Sequence, residues 1–255
     1  MGRLSCSKDN PMKYTLTLLL LFAGYLSLAQ TEDSVRVKEF TNVVTSPKVH
    51  LVLREGPVAQ VRIVCHGIPR NRVNIRQSGK TLRIFLDHAR VVEKRVRYTM
   101  HGAKRPLYEG ASVTAYVTYQ RLSKIQMRGS ESLVADGTIH ADKLKLKLYG
   151  VTSVQVNKLD VDKLKVSLFG ENSVLIRAGH ANDQVYRLFG DNGIDTHGMG
   201  STTAAARIYG EGKIKLAVRD AIHIHAFGEP VVRVTGTPLI THGIILGRLD
   251  LRNEN

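Results

Sequence analysis

Residues 143–156 read KLKLKLYGVTSVQV, and the same design returns as KLKVSLFGENSVLI at 163–176, DQVYRLFGDNGIDT at 183–196 and TAAARIYGEGKIKL at 203–216. In the first copy Leu144, Leu146 and Leu148 alternate with Lys143, Lys145 and Lys147, the period-2 pattern of a strand with one wet face. A glycine breaks the alternation and a second short strand follows. The corner glycines Gly129, Gly150, Gly170, Gly190, Gly210 and Gly228 fall 21, 20, 20, 20 and 18 residues apart. Such a period marks a solenoid, because each coil can bury its apolar face only against its neighbours.

Superposing the copies predicts interior columns. Val154, Val174, Ile194, Ile214 and Val232 form one, and Val156, Ile176, Thr196, Leu216 and Val234 form the next. The fold class predicted is all-β: a right-handed parallel β-helix of coils of about 20 residues with an N-terminal β-strand cap. A leucine-rich repeat would need an inward asparagine or cysteine between its apolar columns, and Gln155, Leu175, Asp195, Lys215 and Arg233 stand there instead. Tyr149, Phe169, Phe189, Tyr209 and Phe227 immediately precede the last five glycines. They are expected to form a structural ladder with those glycines, as a continuous ring stack that supports packing. Turned outward, they would instead offer a flat strip to sugar rings.

At the N-terminus, Met12 and Lys13 lead into YTLTLLLLFAGYLSLAQ, an apolar run too short for a comfortable membrane span. It reads as a signal peptide over residues 1–29, with Ser27 and Ala29 at the −3 and −1 positions, and Met12 is an alternative start. The expected locations are therefore the periplasm, the outer-membrane surface or the outside of the cell, with no membrane span after cleavage. Residues 30–120 read as a β-rich capping part and 121–255 as the β-helix repeat part of one continuous domain. Within the cap, QSGK at 77–80 marks a hairpin, and the basic stretch at 88–110 reads as an excursion loop. Cys65, the one cysteine left after cleavage, reads as a small buried strand residue.

The net charge of +15 points to anionic partners. Residues 1–29 carry three basic residues against one acidic, so the chain without them keeps +13. An exported chain without a recognisable nucleic-acid module excludes nucleic acid as the expected partner. Lys145 and Lys165 are expected on adjacent coils, with Lys147, Arg187 and Arg207 in the neighbouring outward column, continued by His225 and interrupted by Ser167. Glu171, Asp191, Glu211 and Glu229 form an acidic column after the corner, which reads as solvated turn residues.

No G-x-S-x-G elbow, H-E-x-x-H, P-loop or strand-borne G-x-G-x-x-G is present. His223 and His225 share a strand face but lack an identifiable third ligand, so no metal site and no cofactor is assigned. Asp160 and Asp162 near Lys143 and Lys163 are the nearest cluster for lyase chemistry and read as turn decoration. No catalytic residue is assigned.

LYGVTSV, LFGENSV and IYGEGKI, recurring after alternating strands, resemble the S-G-x-S-x-[IV] coils of the putative auto-transporter adhesin head GIN domain family. KEFTNVVTSPKVHLVLREG at 38–56 resembles that family's opening, and the resemblance spans about residues 39–240. It implies an exported β-helix protein of adhesive role without an established activity. Tyr or Phe replaces the family's usual small residue before the glycine. The reading that follows is a noncatalytic cell-envelope binding, scaffold or adhesion-type module contacting an anionic polysaccharide or another envelope component. The alternative is a lyase or hydrolase acting on acidic polysaccharide.

Overall fold

The computed structural model describes residues 34–97 and 102–254, so the expected signal peptide and its cleavage site lie outside the described residues. In chain order the strands are β1 (Ser34–Arg36), β2 (Asn42–Thr45), β3 (Val49–Glu55), β4 (Gln60–His66), β5 (Val73–Ser78), β6 (Thr81–Leu86), β7 (Arg95–Arg97), β8 (Lys104–Pro106) and β9 (Ser112–Tyr119). They continue with β10 (Lys124–Gly129), β11 (Ser132–Gly150), β12 (Ser153–Gly170), β13 (Ser173–Phe189), β14 (Gly193–Tyr209), β15 (Lys213–Gly228), β16 (Val231–Thr235), β17 (Leu239–Gly247) and β18 (Asp250–Asn253). Apart from one short 3-10 turn at Arg70–Arg72, every regular element among the described residues is a strand.

Each long strand bends through the faces of one coil, and consecutive coils pair in parallel. Within β11 and β12 the pairing runs Ser132 to Ala135 against Ser153 to Val156, then Thr138 to Ala141 against Lys158 to Val161, then Lys143 to Gly150 against Lys163 to Gly170. The register shift between Ala135 and Thr138 is the first bend. The fold is the predicted parallel β-solenoid, and the predicted columns are its interior: Val154, Val174, Ile194, Ile214 and Val232 stack rung on rung, all buried.

The glycine corners show why one amino acid recurs. Gly150, Gly170, Gly190, Gly210 and Gly228 have φ between +104° and +126°, a region L side chains avoid. A Cβ on Gly170 would also lie 2.3 Å from the carbonyl oxygen of Gly150, and the contact repeats at each later corner. Gly247, 19 residues after Gly228, continues the ladder at φ +110°.

The region before Gln120 does more than cap. β2 and β3 are parallel rungs, pairing with β10 and β11, and β6 and β9 lie beneath them in parallel. Antiparallel strands then close that end: β4 covers β9, β1 covers β4, and β5 covers β6 through the expected hairpin at Gly79 and Lys80. These antiparallel strands shield the parallel rungs and leave β1 and β5 as the outer edges at that end. Within the basic stretch at 88–110, β7 and β8 form a separate two-stranded ribbon.

Two polar features run through the core. At the corner, Glu131, Thr152, Asn172 and Asn192 are buried one above another, two residues after each glycine. The Oδ1 of Asn192 accepts from the Asn172 backbone N–H at 3.1 Å and its Nδ2 at 2.9 Å, and Asn172 Oδ1 accepts from the Thr152 N–H at 3.2 Å. Asn192 Nδ2 in turn donates to the Phe189 carbonyl at 3.1 Å. The turn amides are thereby satisfied away from water. One coil on, the buried Tyr186 hydroxyl bonds Gln184 Oε1 and lies 3.1 Å from Thr196 Oγ1. Small neighbours Ala204 and Ala206 pair with Gln184 and Tyr186, and Gly179 replaces the Leu159 of the coil below, leaving room for the larger pair. Thr196, placed by the repeat in an apolar column, is therefore buried as a hydrogen-bonding partner.

Asn192→Ala strands two donors of Asn172 in the corner, which costs about 3 kcal/mol. Exposed Asp191→Ala costs less than about 0.5 kcal/mol. Urea unfolding of both variants checks the contrast, and equal midpoints would show that the asparagine ladder is not structural.

Candidate functional site

Beside a column at the bend formed by Lys143, Lys163, Asp183, Thr203 and Ala221, the last strand of each coil presents three further outward columns between buried leucines, isoleucines and valines. The first begins Lys124, Lys145, Lys165, Val185, Ala205 and His223. The second runs Gln126, Lys147, Ser167, Arg187, Arg207 and His225. All five predicted anion-contacting residues, Lys145, Lys147, Lys165, Arg187 and Arg207, therefore lie on one face in the expected order. Lys124 joins them, a residue the repeat did not single out because its strand precedes the first aromatic corner.

Lys124, Lys145, Lys147, Lys165, Ser167, Val185 and Arg187 line a shallow depression of about 270 Å³. Among the described residues, none of these cations has a carboxylate within ion-pair distance, whereas nearby Lys163 holds Asp183 at 2.8 Å. The crowding is felt in the ammonium groups themselves. Lys143 first, then slight desolvation, Lys163, Lys145 and Arg187 push the Lys165 pKa down. Burial and the positive charge of Lys147, Arg83, Lys145 and Arg128 do the same to Lys124.

The third outward column is the aromatic ladder. Tyr149, Phe169, Phe189, Tyr209 and Phe227 stack with centroids 4.9, 5.0, 4.8 and 4.7 Å apart and planes within 8° of parallel. They point outward, Phe189 and Tyr209 being 37 % and 36 % exposed. Yet the ring faces within the ladder are taken by neighbouring rings, the Arg128 guanidinium lies 4.4 Å from the Tyr149 ring centroid, and Leu246 is the rung partner of Phe227. A sugar needs a free face to stack on, and the ladder offers chiefly edges. Its expected structural role rests on this self-stacking.

The histidine pair is hydrogen-bonded rather than convergent on an empty centre. The Ile244 N–H donates to His225 Nδ1 at 3.1 Å, so a neutral His225 carries its proton on Nε2, 3.0 Å from His223 Nε2. His223 Nδ1 then donates to Thr241 Oγ1 at 2.8 Å. Among the described residues no group of three or more His, Cys, Asp or Glu is arranged to hold a metal. Glu171, Asp191, Glu211 and Glu229 are exposed at successive corners.

Other candidate groups are occupied. Asp160 pairs with Lys158 at 3.2 Å, and Asp162 accepts from Asn182 at 3.3 Å. Lys163 Nζ and the Thr203 hydroxyl hold the Asp183 carboxyl below its usual range. Cys65 is half-buried, not fully buried as the sequence implied, and burial pushes its thiol pKa up, away from the reactive thiolate. One pair escaped the sequence reading because its members are 82 residues apart: His50 Nδ1 lies 2.9 Å from Ser132 Oγ and also accepts the Ser132 N–H. No carboxylate among the described residues orients that ring, so the pair lacks the third member of a nucleophile relay.

A parallel β-solenoid with a hairpin-closed end, carrying its distinctive chemistry as columns on one face, is a repetitive surface rather than a cleft. The chain belongs to the family described as putative auto-transporter adhesin, head GIN domain, whose model matches residues 39–238. A crystal structure of a putative adhesin from Bacteroides fragilis NCTC 9343 is similar with a TM-score of 0.70 at 19% identity, over 87% of this chain and 95% of that one. A putative adhesin from Parabacteroides distasonis ATCC 8503 is similar at 0.64 and 16%, over 88% and 96%. A putative lipid binding protein from the same strain is similar at 0.54 and 14%, over 89% and 98%. No curated protein sequence is significantly similar. No helix among the described residues is long and apolar enough to cross a membrane.

Glu131, at the foot of the asparagine ladder, is the buried titratable group with a pH signature. Burial raises its carboxyl pKa above the ordinary 4.5, while the Lys48 and Ser130 N–H groups and the Lys48 ammonium oppose the rise. The folded chain holds this proton more tightly than the unfolded chain, so the contribution is fully present below 4.5 and is lost as pH rises through the raised folded value. Relative to the parent, Glu131→Gln should therefore gain thermal stability between about pH 4 and about pH 7. A melting difference that is constant across that window would contradict the assignment.

Proposed function

We propose that the chain is an exported, noncatalytic adhesion-type module that holds an anionic cell-envelope polysaccharide along its basic face. The observation that carries the reading is the array of cations on successive rungs, unpaired with carboxylates among the described residues and fixed at strand spacing by the solenoid. Rungs lie about 4.8 Å apart, so the columns present charge as a linear series, suited to an extended polymer. The excess of +13 left after removal of residues 1–29, from the +15 of the whole chain less three basic residues and one acidic, strengthens the attraction at a distance. The adhesin family and the apolar N-terminal run support an exported surface role.

Lys147→Glu combined with Arg187→Glu should weaken binding to immobilised acidic polysaccharide at least about tenfold, because one rim is reversed in sign. Binding of the parent should fall steeply as salt rises, since exposed charges are screened within about 10 Å at 0.1 M. Phe189→Leu, which removes one self-stacked ring, should leave affinity within about twofold. Salt-independent binding, absence of binding to any acidic polymer, or release of unsaturated products during incubation would each overturn the proposal.

A further inference from the structure

The basic face is not uniform. Ser167 stands between Lys147 and Arg187 in the second column, with Lys145 and Lys165 beside it in the first. A short residue among long cations leaves the depression of about 270 Å³, with Lys124 on its far rim.

The surrounding donors discriminate between anions. Ammonium or guanidinium groups approach from the rung below, the rung above and the adjacent column, and the Ser167 hydroxyl turns freely to donate from the floor. A planar carboxylate presents two oxygens in one plane and is best matched by an in-plane fork. A phosphate or sulfate monoester presents three oxygens from one centre, and phosphate brings close to two charges. Its oxygens can face donors on three sides together.

We propose that the Ser167 depression is a discrete subsite for a tetrahedral oxyanion, a phosphate or sulfate monoester carried on the bound polysaccharide. This rests on the basic face being a glycan surface and adds a chemical class to it. A glycan is favoured over a lipid because the cation column continues past the depression to Arg207, along the line an extended chain would take.

The test compares the full chain with Ser167→Leu, which fills the depression while keeping every cation, and with Ser167→Lys, which fills it with a further charge. Probes are heparin as a sulfated polymer, a phosphorylated mannan, polygalacturonate as a carboxylate-only polymer, and vesicles containing phosphatidic acid. The parent should bind at least one ester polymer about tenfold more tightly than polygalacturonate at equal charge density, one decade being about 1.4 kcal/mol. S167L should abolish that preference, and S167K should abolish it while strengthening polygalacturonate binding. Equal affinity of the parent for ester and carboxylate polymers, or a preference that survives in S167K, would overturn the subsite while leaving the basic face intact. Absence of binding to all the polymers would overturn both proposals. Binding to the vesicles alone, sensitive to S167L, would overturn the glycan assignment.

Discussion

At the glycine corner of each coil the backbone passes so close to the coil beneath that a methyl group could not fit between them. A Cβ would meet the preceding glycine's carbonyl oxygen at 2.2 Å for Gly150 and at 2.7 Å for Gly210. This contact, together with a positive φ, admits glycine and pins equivalent residues of successive coils above one another. Register in a sheet is otherwise free to slip, and a slip of one residue turns every side chain to the opposite face. Every column described above depends on the corner that prevents it.

From that register follow ladders that reinforce one another. Asparagines satisfy buried amides inside the turn, five rings stack outside it, and the leucine, isoleucine and valine columns fill the interior between. Stacked aromatic pairs add about 0.5 to 1.5 kcal/mol each beyond burial. Because coils contact only their neighbours, the stability gained is approximately a sum of coil and interface contributions. Rigidity of this kind lets a row of like charges persist without ion pairs of its own: backbone pairing fixes the spacing that the cations themselves resist. The basic face is a consequence of the scaffold, and its unrelieved repulsion favours an anionic occupant.

Much of this was legible in the letters. Alternation of Leu144, Leu146 and Leu148 with lysines, repeated at twenty residues, specified strands, corners and the outward placement of Lys147, Arg187 and Arg207. The asparagine ladder was harder to see, since Asn172 and Asn192 look like ordinary turn residues until the turn is known to be buried. The Tyr186, Gln184 and Thr196 cluster breaks the apolar pattern and is intelligible only with Gly179, Ala204 and Ala206 around it. The parallel rungs β2 and β3 carry no corner signature, and their partners lie some eighty residues away, as His50 and Ser132 do. Direction of the aromatic ladder was undecidable from spacing, because a strand residue beside a corner can turn either way. Lys124 entered the face through pairing with Lys145, not through any motif.

The most direct test is excision of one complete coil, residues 171–190, joining Gly170 to Asp191 so that every column closes by one rung. Unfolding followed by circular dichroism and urea should show a cooperative β-protein, less stable than the parent by one coil's share. Removal of residues 171–180 alone, half a coil, should abolish that transition. If both deletions unfold the chain alike, or both are tolerated alike, the twenty-residue register is not what holds this molecule together.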